Sequence, residues 1–85
     1  MEYVAIAFRS RSDTVAFYKY LAFNGIRSEI INTPKEAGVG CGLSVKVSRS
    51  VFSVAKRAVF AFNRKSFAGF FLVRTLNGRR TVASI

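Results

Sequence analysis

The chain has 85 residues, of which 51% are hydrophobic and nine are Phe, and its 14 Lys and Arg against four Asp and Glu give a net charge of +10. A chain of this length buries only about 60% of its unfolded surface, enough for one domain with an efficient core, and the apolar share argues against disorder. With no His and a single Cys, the sequence excludes Ser/His and Cys/His catalysis, a zinc centre and an intramolecular disulfide, so no metal or cofactor is expected.

In chain order, the elements alternate. Residues 3–8, YVAIAF, form a continuous apolar run with β-branched and aromatic members, which reads as a central buried strand. Ser10 and Asp13 then offer a capping box for a helix. Ala16, Phe17, Tyr20 and Leu21 recur at three- and four-residue spacing along it, and Asn24-Gly25 ends it. Residues 28–32, SEIIN, read as a second strand. In 43–48, LSVKVS, Leu43, Val45 and Val47 alternate with Ser44, Lys46 and Ser48, which predicts a third strand with one wet face. Ser50 is the expected cap of a second helix with a stripe of Val51, Ala55, Ala58, Val59 and Phe62. Residues 67–76, FAGFFLVRTL, read as the fourth strand. Asn77-Gly78 is a tight hairpin signal, so RRTVASI either folds back as a short fifth strand or trails as a basic tail.

The order β-α-β-β-α-β predicts one α+β domain over residues 1–85. Its expected form is a ferredoxin-like sandwich, an antiparallel sheet with two helices on one face and strands one and three in the middle. No apolar run approaches the roughly 18 residues that span a bilayer, and the N-terminus lacks the basic-then-apolar order of a secretory signal. A cytoplasmic protein with no membrane contact is therefore expected.

The one thiol, Cys41, stands between glycines in AGVGCGLSV, a run with no charge. Upstream, Thr33-Pro34-Lys35-Glu36 reads as a capping box with proline at the first helical position, opening a single turn that Gly38 ends. Gly38, Gly40 and Gly42 permit positive φ and bring bare N–H groups beside Cys41, the makings of an anion-binding nest. The anion is either a ligand or the sulfur itself. Arg9 and Arg11 leave the first strand nearby and Lys35 belongs to the same loop, and cations of this kind raise the thiolate fraction of a partly exposed cysteine. The opposing reading is an inert Cys41 packed as a small hydrophobe, with the glycines as turn chemistry. GVGCG is no dinucleotide fingerprint, because a strand follows it.

YVAIAFRSRSDTVAFYKYLAFNGI, then IINTPKE, then GCGLSVKV resemble the family of short bacterial and archaeal domains described as selenium/sulfur carrier protein-like. The resemblance covers about the first half of the chain, most specifically Thr33-Pro34 with Glu36 and Cys41-Gly42-Leu43-Ser44. It implies that Cys41 is the carrier atom and that Thr33 to Glu36 support its loop, although the helical Cys-Pro motif of other sulfur carriers is absent. The expected function is that of an accessory protein and not a self-sufficient enzyme. Cys41 would accept a chalcogen from a donor protein, hold it as a persulfide-type anion beside Gly40 and Gly42, and pass it to an acceptor protein.

The charge supports a rival. Cations cluster at Arg9/Arg11, Lys56/Arg57, Arg64/Lys65 and Arg79/Arg80, consistent with a non-catalytic module that binds nucleic acid or an acidic protein. Exposure of some of Tyr3, Phe70 and Phe71 on the open sheet face would provide a base-stacking platform. Whether two copies pair through a sheet edge or that open face is left open.

Overall fold

A computed structural model describes residues 1–62 and 65–85, so Arg64 of the Arg64/Lys65 pair lies outside the described residues. Strand β1 (Glu2–Phe8) holds five consecutive residues, Val4 to Phe8, that are 0% exposed. Because a strand sends successive side chains to opposite faces, unbroken burial demands cover on both. Two helices, α1 (Arg11–Phe23) and α2 (Phe52–Phe62), cover one side, where Val4, Ile6 and Phe8 meet Phe17 and Leu21 of α1 and Ala55 and Val59 of α2. On the other side Ala5 and Ala7 join Phe71 and Val73, with Ala37 and Val82 packed against them.

The sheet is completed by β2 (Glu29–Asn32), β3 (Leu43–Val47), β4 (Phe67–Leu76) and β5 (Arg79–Ser84) in the order β2-β3-β1-β4-β5. Every neighbouring pair is antiparallel, with Ile6 opposite Val45 on one side and Phe70 on the other. This is the expected ferredoxin-like α+β sandwich, with β1 and β3 interior and the C-terminal segment folded back as a fifth strand. The β4–β5 turn has positive φ at both Asn77 and Gly78, 54° and 76°, as a twisted two-residue hairpin requires. Much of the Phe content fills the helix–sheet layer. Phe8 lies 5.1 Å from Phe17, and Phe70 lies 4.6 Å from Phe67 and 5.2 Å from Phe52, centroid to centroid.

Two local expectations are corrected. Ser10 does cap α1, accepting from Asp13 N–H at 3.2 Å, but the residue that opens the second helical segment is Ser48. It leaves β3 in an extended conformation and accepts from Ser50 N–H at 3.3 Å, placing Ser50 inside a 3₁₀ turn (Arg49–Val51) that leads into α2. Nor is the second face of β3 wet at Ser44, which is fully buried. Ala37, from the segment after β2, packs on that face of the sheet, while Lys46 is half-buried and Ser48 exposed, so the face is covered at its Ser44 end and wet toward Ser48. Among the described residues, no helix is long and apolar enough to cross a membrane.

Candidate functional site at the glycine-flanked thiol

The glycine run carries the chain around the end of β1, from one face of the sheet to the other. On the side away from the helices, a Cβ added at Gly40 would stand 3.0 Å from Phe8 O and 3.5 Å from Ala7 Cβ, so only bare backbone passes there. One residue later Cys41 N–H donates to Phe8 O at 3.0 Å, and Thr33 N–H donates to Gly42 O at 2.9 Å. The half-buried Cys41 then turns to the helix side, its Sγ 3.5 Å from Thr14 Oγ1 and 3.6 Å from Leu43 O. Thr14 is fully buried in α1 and its hydroxyl donates to Ser10 O at 3.0 Å, which leaves the oxygen free to accept from the thiol.

The remaining predicted residues, Glu36 aside, divide into three groups. Gly40 and Gly42 line a cleft of about 220 Å³ with Thr33, Pro34, Lys35, Gly38 and Val39, and Cys41 is not part of its wall. Arg11, at the first position of α1, borders a different cleft with Val15, Lys19 and Leu43. Arg9 turns toward β4, where its guanidinium donates to Phe67 O at 3.0 Å. The fold thus distributes the three predicted cations around the loop.

The capping box at Thr33 does not form. Pro34 occupies the cap position of a three-residue 3₁₀ turn (Lys35–Ala37) and no side chain caps it. Thr33 Oγ1 is spent on Ser44 Oγ at 2.7 Å, because the buried serine needs a partner more than a short, solvent-facing turn does. The anticipated nest is also reduced, since Cys41 N–H goes to Phe8 O and Gly38 N–H to Lys35 O. Both donors are used inside the fold.

Glu36 reaches β5, where Arg80 grips it with two hydrogen bonds of 2.8 and 3.0 Å. The pair clasps the loop onto the sheet's second face. Donation from the Arg80 side chain is the main reason that the Glu36 carboxyl is held below its usual 4.5. A depressed carboxylate adds stability that is present above its unfolded value and is lost as pH falls through the lower folded value. The clasp should therefore persist through pH 4.5 and release in more acid solution. An NMR titration of the Glu36 carboxyl carbon should give a midpoint below 4.5 in the native protein, moving up toward the ordinary value in Arg80→Ala. A native midpoint at or above the ordinary value would show the clasp to be absent in solution.

Thr14, Ser44 and Arg80 were missed as supporting residues. Thr14 was legible in principle, because Thr14, Phe17 and Leu21 share the i, i+3, i+7 face of α1 that is buried. Arg80 was not, since its partner lies 44 residues away. The stacking platform of the rival reading is corrected. Phe70 points to the helix side at 5% exposure, Phe71 is 7% exposed, and the half-buried Tyr3 ring has Lys46 Nζ 4.7 Å from its centroid. No three His, Cys, Asp or Glu side chains among the described residues are grouped to hold a metal ion.

Residues 3–63 match a family model whose description is "Putative Se/S carrier protein-like". No curated protein and no solved structure matches the chain.

Proposed function

Because the chain belongs to the Se/S carrier protein-like family, we propose that it is an accessory protein carrying a sulfur or selenium atom on Cys41 between a donor and an acceptor protein. The observation that carries this reading is the coincidence, inside the family-matched span, of the only thiol with a backbone crossover pinned on both sides, by Cys41 N–H on Phe8 O and Thr33 N–H on Gly42 O. A sulfur on such a backbone keeps its position while its charge and substituent change.

The transfer needs only thiol exchange. Cys41 thiolate attacks the outer sulfur of a donor persulfide, R–S–SH. The donor S–S bond breaks, R–S⁻ leaves, and Cys41 holds –S–SH. An acceptor thiolate then attacks that outer sulfur and Cys41 departs as thiolate, so no external oxidant or reductant is consumed. A donor of the type R–S–SeH delivers selenium by the same steps. In the resting state Thr14 Oγ1 and Leu43 O are the acceptors available to the thiol proton. Gly40 and Gly42 permit the crossover, while Thr33, Pro34 and Glu36 hold the loop. Lys35 on one side and Arg11 on the other supply positive charge for an approaching anionic sulfur, and Arg9 ties the end of β1 to β4. The setting for this exchange is the reducing cytoplasm.

Intact-mass measurement after incubation of the reduced protein with a small persulfide donor tests the reading. The expected result is a gain of the mass of one sulfur atom, removed again by excess thiol. No gain, under conditions in which a small-molecule thiol is loaded, would overturn it.

A further inference from the structure

The carboxylates are not spread evenly over the two sides of the molecule. After Glu36 the sequence contains no acidic residue at all. Each of the three Glu is already paired at the sheet: Glu2 with Arg49 and Arg74, Glu29 with Lys46, and Glu36 with Arg80. The fourth acid, Asp13, sits in the first turn of α1. This leaves α2 with Lys56 and Arg57 and no carboxylate, and the stretch from Thr14 to Arg27 with Lys19 and Arg27 and none. Apart from Asp13, the helix layer has no carboxylate to set against Lys19, Lys56 and Arg57.

Between these helices runs a groove of about 360 Å³ beside the C-terminal half of α1. Tyr20, Ile26, Val54, Ala58 and Ala61 give it an apolar lining, and Arg57 stands in its wall. Val54, Ala58 and Ala61 follow i, i+4, i+7 spacing and so form one stripe about two turns long. The small side chains of Ala58 and Ala61 admit close approach of another backbone. Val54 remains 43% exposed at one end.

We propose that this groove docks an acidic amphipathic helix of a partner protein. Helix-in-groove recognition sets an apolar stripe of the guest into an apolar floor, and here the guest's flanking carboxylates would meet Arg57 in the groove wall, with Lys56 next to it in α2. An apolar lining with two alanines favours a protein over a nucleic acid, because phosphate contacts gain nothing from it. The ring in the lining, Tyr20, already packs on Phe17 and Phe62, at 6.3 and 5.4 Å between centroids, and is not free to stack on a base. The proposal does not rest on the thiol chemistry. The groove adjoins the C-terminal end of α1 and Cys41 its first turns, so a partner held there leaves the sulfur open to a second protein.

The test is an NMR titration of the isotope-labelled full chain with a synthetic helical peptide of about 14 residues, with a Leu stripe and Glu elsewhere, at low salt. Shifts should concentrate on Tyr20, Ile26, Val54, Arg57, Ala58 and Ala61. Binding should weaken about tenfold in Arg57→Glu and by a similar factor in Val54→Asp, both at exposed positions, with the rest of each spectrum unchanged. A scrambled peptide of the same composition should bind several-fold more weakly. Equal binding of the scrambled peptide, shifts centred elsewhere, or an unaltered affinity in both variants would overturn the proposal. So would displacement of the peptide by a uridine oligonucleotide that shifts the same residues more strongly, which would make the surface a nucleic-acid site. Sulfur loading is read separately by mass, so failure of either idea leaves the other standing.

Discussion

Cys41→Ser is expected to abolish sulfur loading and to leave the fold in place. Serine is nearly isosteric with cysteine, but at neutral pH its hydroxyl is a far weaker nucleophile and forms no persulfide. The backbone contacts that position the residue do not involve its side chain: Cys41 N–H still donates to Phe8 O, and Thr33 N–H to Gly42 O. The shorter hydroxyl keeps Thr14 Oγ1 and Leu43 O as neighbours, so the stability change should stay within about 1 kcal/mol, the scale of one ordinary hydrogen bond. Intact mass reports the loading, and a urea midpoint reports the fold. Because the chain holds no other thiol, sulfur retained by the serine variant would assign the chemistry elsewhere and remove Cys41 from the proposal. A variant that neither loads nor folds would be separated from this outcome by its urea curve.

The parts of the fold that were legible in the sequence are those specified by short-range pattern. The unbroken apolar run of β1, the span of β4, the Asn77-Gly78 hairpin and the buried stripe of α2 all follow from periods of 2.0 and 3.6 with turn chemistry between them. The errors arose where a distant segment changed the environment of a local one. Ser44 reads as solvent-facing until Ala37 is folded over its sheet face, and Thr33 reads as a cap until the buried Ser44 hydroxyl claims it. Phe70 and Phe71 are adjacent and point to opposite faces, and only the register against β1, with Ile6 opposite Phe70, assigns which of them meets the helices. At the candidate site, the bare backbone around Cys41 was legible, but its cause was not. The glycines serve the crossing of the β1 end, where Phe8 O stands 3.0 Å from any Cβ at position 40. An anion nest uses the same residues in sequence, so local pattern could not separate the two.

That crossing makes Gly40→Val the substitution that should cost the most along the loop, with Gly42→Val as its control. Both glycines have positive φ, 89° and 94°, which strains any β-branched residue by roughly 1–3 kcal/mol. At Gly42 nothing lies within 4 Å of an added Cβ, so strain is the whole penalty. At Gly40 the new Cβ meets Phe8 O at 3.0 Å, and a backbone carbonyl in a central strand cannot swing aside as a flexible side chain would. The same oxygen accepts from Cys41 N–H. Relief of the clash therefore breaks a hydrogen bond worth about 0.5–1.5 kcal/mol and shifts the residue that bears the thiol. The total, about 3 kcal/mol, is a large part of the roughly 5–15 kcal/mol that holds a domain folded. Urea midpoints should fall further for Gly40→Val than for Gly42→Val. The native alkylation rate of Cys41 should change most in Gly40→Val as well, because its sulfur is drawn away from Thr14 Oγ1. Equal losses of stability at the two positions, with no difference in thiol reactivity, would mean that the β1 crossing does not position the sulfur. The glycine run would then be a turn that happens to contain a cysteine.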